Sequence, residues 1–112
     1  MKIALSSSGK DINSNLSEVF GRCPYFVIVE IEDKKVKGFE TTENTSVNQT
    51  GGAGISVAKI VAGKNVNAVI TGNVGPRALE VLKQFNIQVY SGVGLIKDAI
   101  QKFIEGKLKE IK

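Results

Sequence analysis

The stretch NAVITGNVGPRALEVLKQFNIQVY, residues 67–90, decides the fold. Asn67 to Thr71 is a short apolar run of the kind that forms a buried strand. Gly72-Asn73-Val74-Gly75 is a turn, and Pro76 stands where a first helical residue tolerates a missing N–H. Ala78, Val81, Leu82 and Phe85 follow at i, i+3, i+4 and i+7, Asn86 stops the helix, and Ile87 to Tyr90 is again a buried strand. Strand, helix, strand in this order is a parallel pair joined by a crossover helix, and such strands are covered on both faces.

Working outward from that unit, Lys2 to Ser6 reads as a central strand that opens into Ser6, Ser7, Ser8 and Gly9. Tyr25 to Glu32 (YFVIVEIE) alternates Val27, Val29 and Ile31 with Phe26, Ile28 and Glu30. That pattern is a strand with at least one covered face. Asp33-Lys34-Lys35 turns the chain into an edge strand, Val36 to Thr42, which completes a hairpin. Gly51-Gly52-Ala53-Gly54 leads into a helix with Ala53, Val57, Ile60 and Val61 on one face, ending near Gly63, whose missing Cβ suits a left-handed cap. After Ser91-Gly92-Val93-Gly94, Ile96, Ala99, Ile100, Phe103 and Ile104 line one face of a last helix closed by Gly106. The order β-β-β-α-β-α-β-α predicts an α/β fold with a five-stranded, mixed and mostly parallel sheet and helices on both sides. With right-handed crossovers, a ribonuclease-H-like three-layer α/β/α arrangement fits best.

Composition narrows the function. A chain of 112 residues suits one domain, residues 1–112. It holds no histidine, which removes Ser-His-Asp and Cys-His triads, histidine-based zinc sites and the commonest neutral-pH base. The lone Cys23 forms no intrachain bridge, and Met1-Lys2 runs straight into a strand, which points to the cytoplasm. No apolar run reaches the ~20 residues of a membrane helix. The net charge of +4 comes mostly from lysines scattered among glutamates, with only Arg22 and Arg77 as arginines. That is a solvated surface rather than a nucleic-acid face.

In sheets of this kind ligands sit beyond the carboxyl ends of the parallel strands. This gathers Ser6 to Ser8, Gly72 to Gly75 and Ser91 to Gly94, with the Gly51 to Gly54 helix start beside them. Three helices begin at glycine turns, where backbone N–H groups and the helix dipole favour an anion. No GxGxxG or P-loop pattern is present. In the loop Phe20-Gly21-Arg22-Cys23-Pro24, a guanidinium beside the thiol would favour a thiolate and a soft metal ligand at Cys23, while Arg22 would pair with an anion. Asn44, Asn48, Gln49 and Asn73 offer neutral polar contacts. The first strand ends in serines rather than carboxylates, which argues against a metal-dependent nuclease.

Phe20-Gly21-Arg22 with Tyr25-Phe26, then Gly51-Gly52-Ala53-Gly54-Ile55, then Val69-Ile70-Thr71-Gly72-Asn73-Val74-Gly75-Pro76 with Ala78 and Leu79, form an ordered series along nearly the whole chain. The series resembles the nitrogenase iron-molybdenum cofactor biosynthesis family. The resemblance implies a non-enzymatic carrier of an iron-sulfur or molybdenum-containing cluster, or of its precursor, working with cofactor-assembly proteins and with neither nucleic acid nor membrane. Carried over by position, Ser6, Ser7, Ser8, Phe20, Gly21, Arg22, Cys23, Gly51, Gly52, Ala53, Gly54, Gly72, Asn73 and Gly75 frame the pocket, with Cys23 as metal ligand. Many relatives have histidine before Phe-Gly-Arg and some have another ahead of the glycine-rich helix start; here Val19 and the Gln49-Thr50 pair stand there. Retention then falls to Cys23, or to Arg22 and backbone N–H groups acting on an anionic cluster. The alternatives are an enzyme acting on an anionic phosphorylated small molecule at the same loops, and an interaction module pairing through its edge strand, with the chain a monomer or weak homodimer.

Overall fold

The computed structural model describes residues 1–46 and 51–112. Asn48, Gln49 and Thr50 lie outside the described residues. Six strands, β1 (Lys2–Ser7), β2 (Tyr25–Glu32), β3 (Lys35–Glu43), β4 (Ala68–Thr71), β5 (Gln88–Ser91) and β6 (Lys109–Ile111), form one mixed sheet in the order β3-β2-β1-β4-β5-β6. Three α-helices, α1 (Ala53–Ala62), α2 (Pro76–Gln84) and α3 (Ile96–Ile104), complete it, with a short 3-10 helix at Phe20–Arg22.

Apolar alternation on β1 and β2 sends one set of side chains to each face. Ala4, Phe26 and Ile28 pack with Val57 and Val61 of α1 and Leu82 of α2. Ile3, Leu5, Val27, Val29 and Ile31 pack with Ile96, Ala99 and Ile100 of α3. The sheet is thus covered by two helices on one side and one on the other. β1 pairs in parallel with β4, and β4 with β5, while β1/β2, β2/β3 and β5/β6 are antiparallel.

Three expectations are corrected here. The sheet has six strands rather than five, because Lys109–Ile111 returns after α3 and adds antiparallel to β5. Three residues with two charges carry too little apolar signal to stand out from a solvated tail. The sheet is also not mostly parallel, since three of its five pairings are antiparallel. Gly63 caps α1 in the right-handed region (φ −65°), and the left-handed residue is Asn65 (φ 60°). Asparagine tolerates that region, so the chain reverses two residues later than the glycine indicates. The other stops hold: Asn86 (φ 60°) and Gly106 (φ 71°) are left-handed, and Pro76 opens α2. The hairpin turn is a two-residue one, with Asp33 (φ 53°) and Lys34 (φ 63°) both left-handed and Glu32 opposite Lys35. This type I′ geometry matches the twist of the strands it joins.

Among the described residues no helix is long and apolar enough to cross a membrane. Leu82 is fully buried against the sheet. Leu82→Ala is expected to cost ~2–5 kcal/mol, read as a lower midpoint in urea with an unchanged slope.

Candidate functional site

The site grows from the ends of β1 and β4. Ser6 Oγ lies 2.8 Å from Thr71 Oγ1 and 3.0 Å from the Ser17 carbonyl, which ties the loop after β1 to the end of β4. The loop then runs alongside Gly72. A β-carbon on Gly72 would sit 2.8 Å from the Glu18 backbone, so only glycine lets the two chains approach this closely. One step further, Phe20 N–H donates to the Asn73 carbonyl at 3.0 Å. That bond opens the 3-10 helix, and the Phe20 ring turns inward to meet Phe26 edge-on at 5.4 Å.

The 3-10 helix lies against the first turn of α1. A β-carbon on Gly21 would come within 3.2 Å of the Gly54 backbone, and one on Gly54 within 3.2 Å of the Ala78 side chain in α2. Backbone therefore meets backbone where the 3-10 helix, α1 and α2 converge. Between them lies a cleft of about 320 Å³. Its walls are Val19, Phe20 and Gly21 on one side, Gly52, Gly54 and Ile55 at the start of α1, and Gly75 to Ala78 at the start of α2.

Two helix N-termini open into this cleft. Gly52, the residue before α1, is left-handed (φ 68°, ψ 10°) and the next is helical, a sequence that turns successive N–H groups toward one concavity. Gly75 precedes α2 in an extended conformation. Among the described residues neither helix has a side-chain cap or an acidic residue in its first turn, so the positive end of each dipole is not neutralised from within. Among the same residues the walls hold no carboxylate, and Arg77 places a cation there. The start of α3 differs. Its first amides are taken by the loop after β1, Ile96 N–H by the Ser14 carbonyl at 2.9 Å and Lys97 N–H by that of Ile12 at 3.0 Å.

Of the residues expected at the site, Phe20, Gly21, Gly52, Gly54 and Gly75 line the cleft. Ala53 is buried between them in the first turn of α1, and Gly51 (φ 72°) precedes it as an exposed residue. Asn73 faces an adjoining cavity with Val19, Val74, Gly75 and Pro76. Ser6 and Ser7 are fully buried. Ser7 Oγ donates to the Gly9 carbonyl at 2.7 Å and Ser8 Oγ to that of Asn15 at 3.0 Å. These three hydroxyls fasten the end of β1 and are not brought to the cleft. Gly72 shapes the loop beside Glu18, and Arg22 is exposed at the end of the 3-10 helix. The residue that sequence reasoning passed over is Arg77. Its signal was its place one residue after Pro76, where α2 begins.

Cys23 departs most from expectation. It is fully buried, and its Sγ donates to the Phe20 carbonyl at 3.3 Å. Burial pushes the thiol up to about 12, against the expected lowering by Arg22. Cys23 is thus a neutral core thiol at physiological pH. Among the described residues no group of three or more His, Cys, Asp or Glu side chains is placed to hold a metal ion.

A mixed sheet flanked by helices on both sides, with the starts of α1 and α2 beside one cleft, defines a small α/β protein. The match of the dinitrogenase iron-molybdenum cofactor family model to residues 1–106 then places the chain: it belongs to that family. It is 44% identical over 111 residues to the uncharacterised protein MJ0580 of Methanocaldococcus jannaschii, covering 98% of this chain and 91% of that one. The apo form of the orange protein from Desulfovibrio gigas superposes with a TM-score of 0.91 at 27% identity, covering 98% and 92% of the two chains. A Thermotoga protein, TM1290, described as NifB-like, does so with a TM-score of 0.83 at 36% identity, covering 97% and 91%.

Gly72→Ala forces a β-carbon onto the Glu18 backbone and should destabilise the fold by ~1–3 kcal/mol in denaturant unfolding. Cys23 should resist alkylation in the folded protein at pH 8 and react once the chain is unfolded. Because its folded-state pKa lies above the ordinary 9.0, the unfolded chain releases its proton first as pH rises. Its contribution is complete below pH 9 and is lost between 9 and about 12. Wild-type stability should therefore fall more steeply over that window than that of Cys23→Ala.

Proposed function

We propose that this protein carries a preformed, anionic metal–sulfide cluster of the iron-sulfur or iron-molybdenum type as cargo, without turnover of its own. The observation that carries the reading is the convergence of two helix N-termini, neither capped by a side chain, on one cleft without carboxylates. Each N-terminus contributes about half an elementary positive charge, and Arg77 adds a whole one.

The chemistry of the donor set decides what form the cargo takes. With Cys23 buried as a neutral thiol and no histidine in the chain, the cleft offers hydrogen-bond donors rather than metal ligands. A bare metal ion does not fit it. A cluster whose own sulfides already complete the coordination of its metals does, because amide N–H groups and a guanidinium bond to sulfide and favour negative charge. The apolar walls at Val19, Phe20, Ile55 and Pro76 suit polarizable sulfide better than strongly hydrated phosphate. Gly21, Gly52, Gly54, Gly75 and Arg77 hold the cargo on this reading. Asn73 borders it, Arg22 acts at its margin, and cofactor-assembly proteins supply and take it. We infer as well that the β3-β2-β1-β4-β5 order with its flanking helices is a ribonuclease-H-like arrangement, extended by β6.

The test is anaerobic incubation with ferrous iron, molybdate and sulfide, gel filtration, and metal analysis of the protein peak. Iron and molybdenum should co-elute with wild type and with Cys23→Ala. Arg77→Ala should bind about tenfold more weakly, the equivalent of one hydrogen bond to a charged group. An excess of a phosphomonoester should leave the metal in place. Absence of metal from wild type refutes the carrier reading, and displacement by the phosphomonoester favours the phosphate-handling enzyme.

A further inference from the structure

Four polar side chains are buried among the described residues: Ser6, Ser7, Thr71 and Asn44. The first three fasten the ends of β1 and β4. Asn44 sits elsewhere, one residue past β3, and is 1% exposed. Its Nδ2 donates to the Cys23 carbonyl at 2.7 Å and reaches toward the Gly21 carbonyl at 3.5 Å. Its Oδ1 accepts from Ser46 N–H at 2.9 Å, and its own N–H donates to the Pro24 carbonyl at 2.9 Å. These bonds are directed at the 3-10 helix, its exit, and the turn that follows β3.

The 3-10 helix needs such a hold. It is three residues long, Arg22 N–H donates to the Val19 carbonyl at 3.2 Å, and its N-cap residue Val19 makes no side-chain capping bond. Short 3-10 segments have poor hydrogen-bond geometry and little stability of their own. Gly21, the residue that touches the first turn of α1, has no side chain to anchor it. At its entry the segment is held by the Asn73 carbonyl, and at its exit by Asn44.

We propose that Asn44 is a positioning residue for the cleft: its carboxamide clamps Gly21 and Cys23 from the end of the β2/β3 hairpin and so sets the distance between the 3-10 helix and the N-terminus of α1. Its effect on cargo rests on the carrier reading above, while its effect on the 3-10 helix does not.

Asn44→Asp tests this, since it keeps the size of the side chain and an acceptor for Ser46 N–H but turns an oxygen toward the carbonyl of Cys23. Amide hydrogen exchange at Phe20 and Arg22, relative to core amides and read by NMR, should rise at least about tenfold, the loss of a bond worth roughly 1.4 kcal/mol. Affinity for the cluster reconstituted from iron, molybdate and sulfide should fall by a similar factor, and its visible circular dichroism should change. Ile100→Ala, buried on the opposite face of the sheet, is the control. It should lower global stability as much or more while leaving the relative exchange at Phe20 and Arg22, the affinity and the dichroism as in wild type. Should Asn44→Asp fail to fold, Asn44→Ala carries the same comparison. Unchanged exchange in the Asn44 variants overturns the clamp. Faster exchange with wild-type affinity and dichroism overturns its role at the cleft. If wild type itself retains no metal, the carrier reading fails separately and the exchange result alone judges the clamp.

Discussion

The parallel pairing of β1 with β4, Ile3 opposite Ala68, Ala4 opposite Val69 and Leu5 opposite Ile70, is the constraint on which the rest depends. A parallel pair brings both carboxyl ends to the same edge, and here it places Ser6 against Thr71. The loop leaving β1 then has to run beside the turn leaving β4. It does so on the flank of Gly72, the only residue type that admits the Glu18 backbone there. A register displaced by one residue would turn every side chain of β1 to the wrong face and separate Ser6 from Thr71.

From that junction the cleft follows by backbone contact rather than by side-chain reach. Phe20 is drawn to Asn73, Gly21 rests on Gly54, and Gly54 rests on Ala78. Small residues let three backbones come close enough for two helix dipoles to act on the same volume. The anion preference proposed for the cleft would therefore be a property of the packing, with Arg77 adding to it.

Much of this was legible in the sequence. The double alternation of Tyr25–Glu32 and the glycine turns before α1 and α2 are local patterns that the structure follows, and the expected stripe of Ala78, Val81, Leu82 and Phe85 holds except at Phe85, which lies past the end of α2 and is exposed. The features that escaped are non-local. Nothing in the sequence near Cys23 says that it is buried in one core cluster with Phe20 and Phe26, and the adjacent Arg22 points the wrong way by suggesting a thiolate. Three serines after a strand read as ligand contacts, yet a buried hydroxyl finds its partner in whatever carbonyl the fold brings near. Arg77 and Asn44 gain their meaning only when α2 and β3 are placed beside the 3-10 helix. β6 has hardly any pattern of its own and exists because β5 offers it an edge.

The left-handed Gly52 and the uncapped helix starts also fix what cannot control the site. The helix starts act through backbone N–H groups, which do not titrate, and the chain contains no histidine. The part of the field that the two helix starts supply is thus independent of pH. On the carrier reading proposed above, cargo leaves by being outcompeted, through a recipient that offers the ligands this chain lacks.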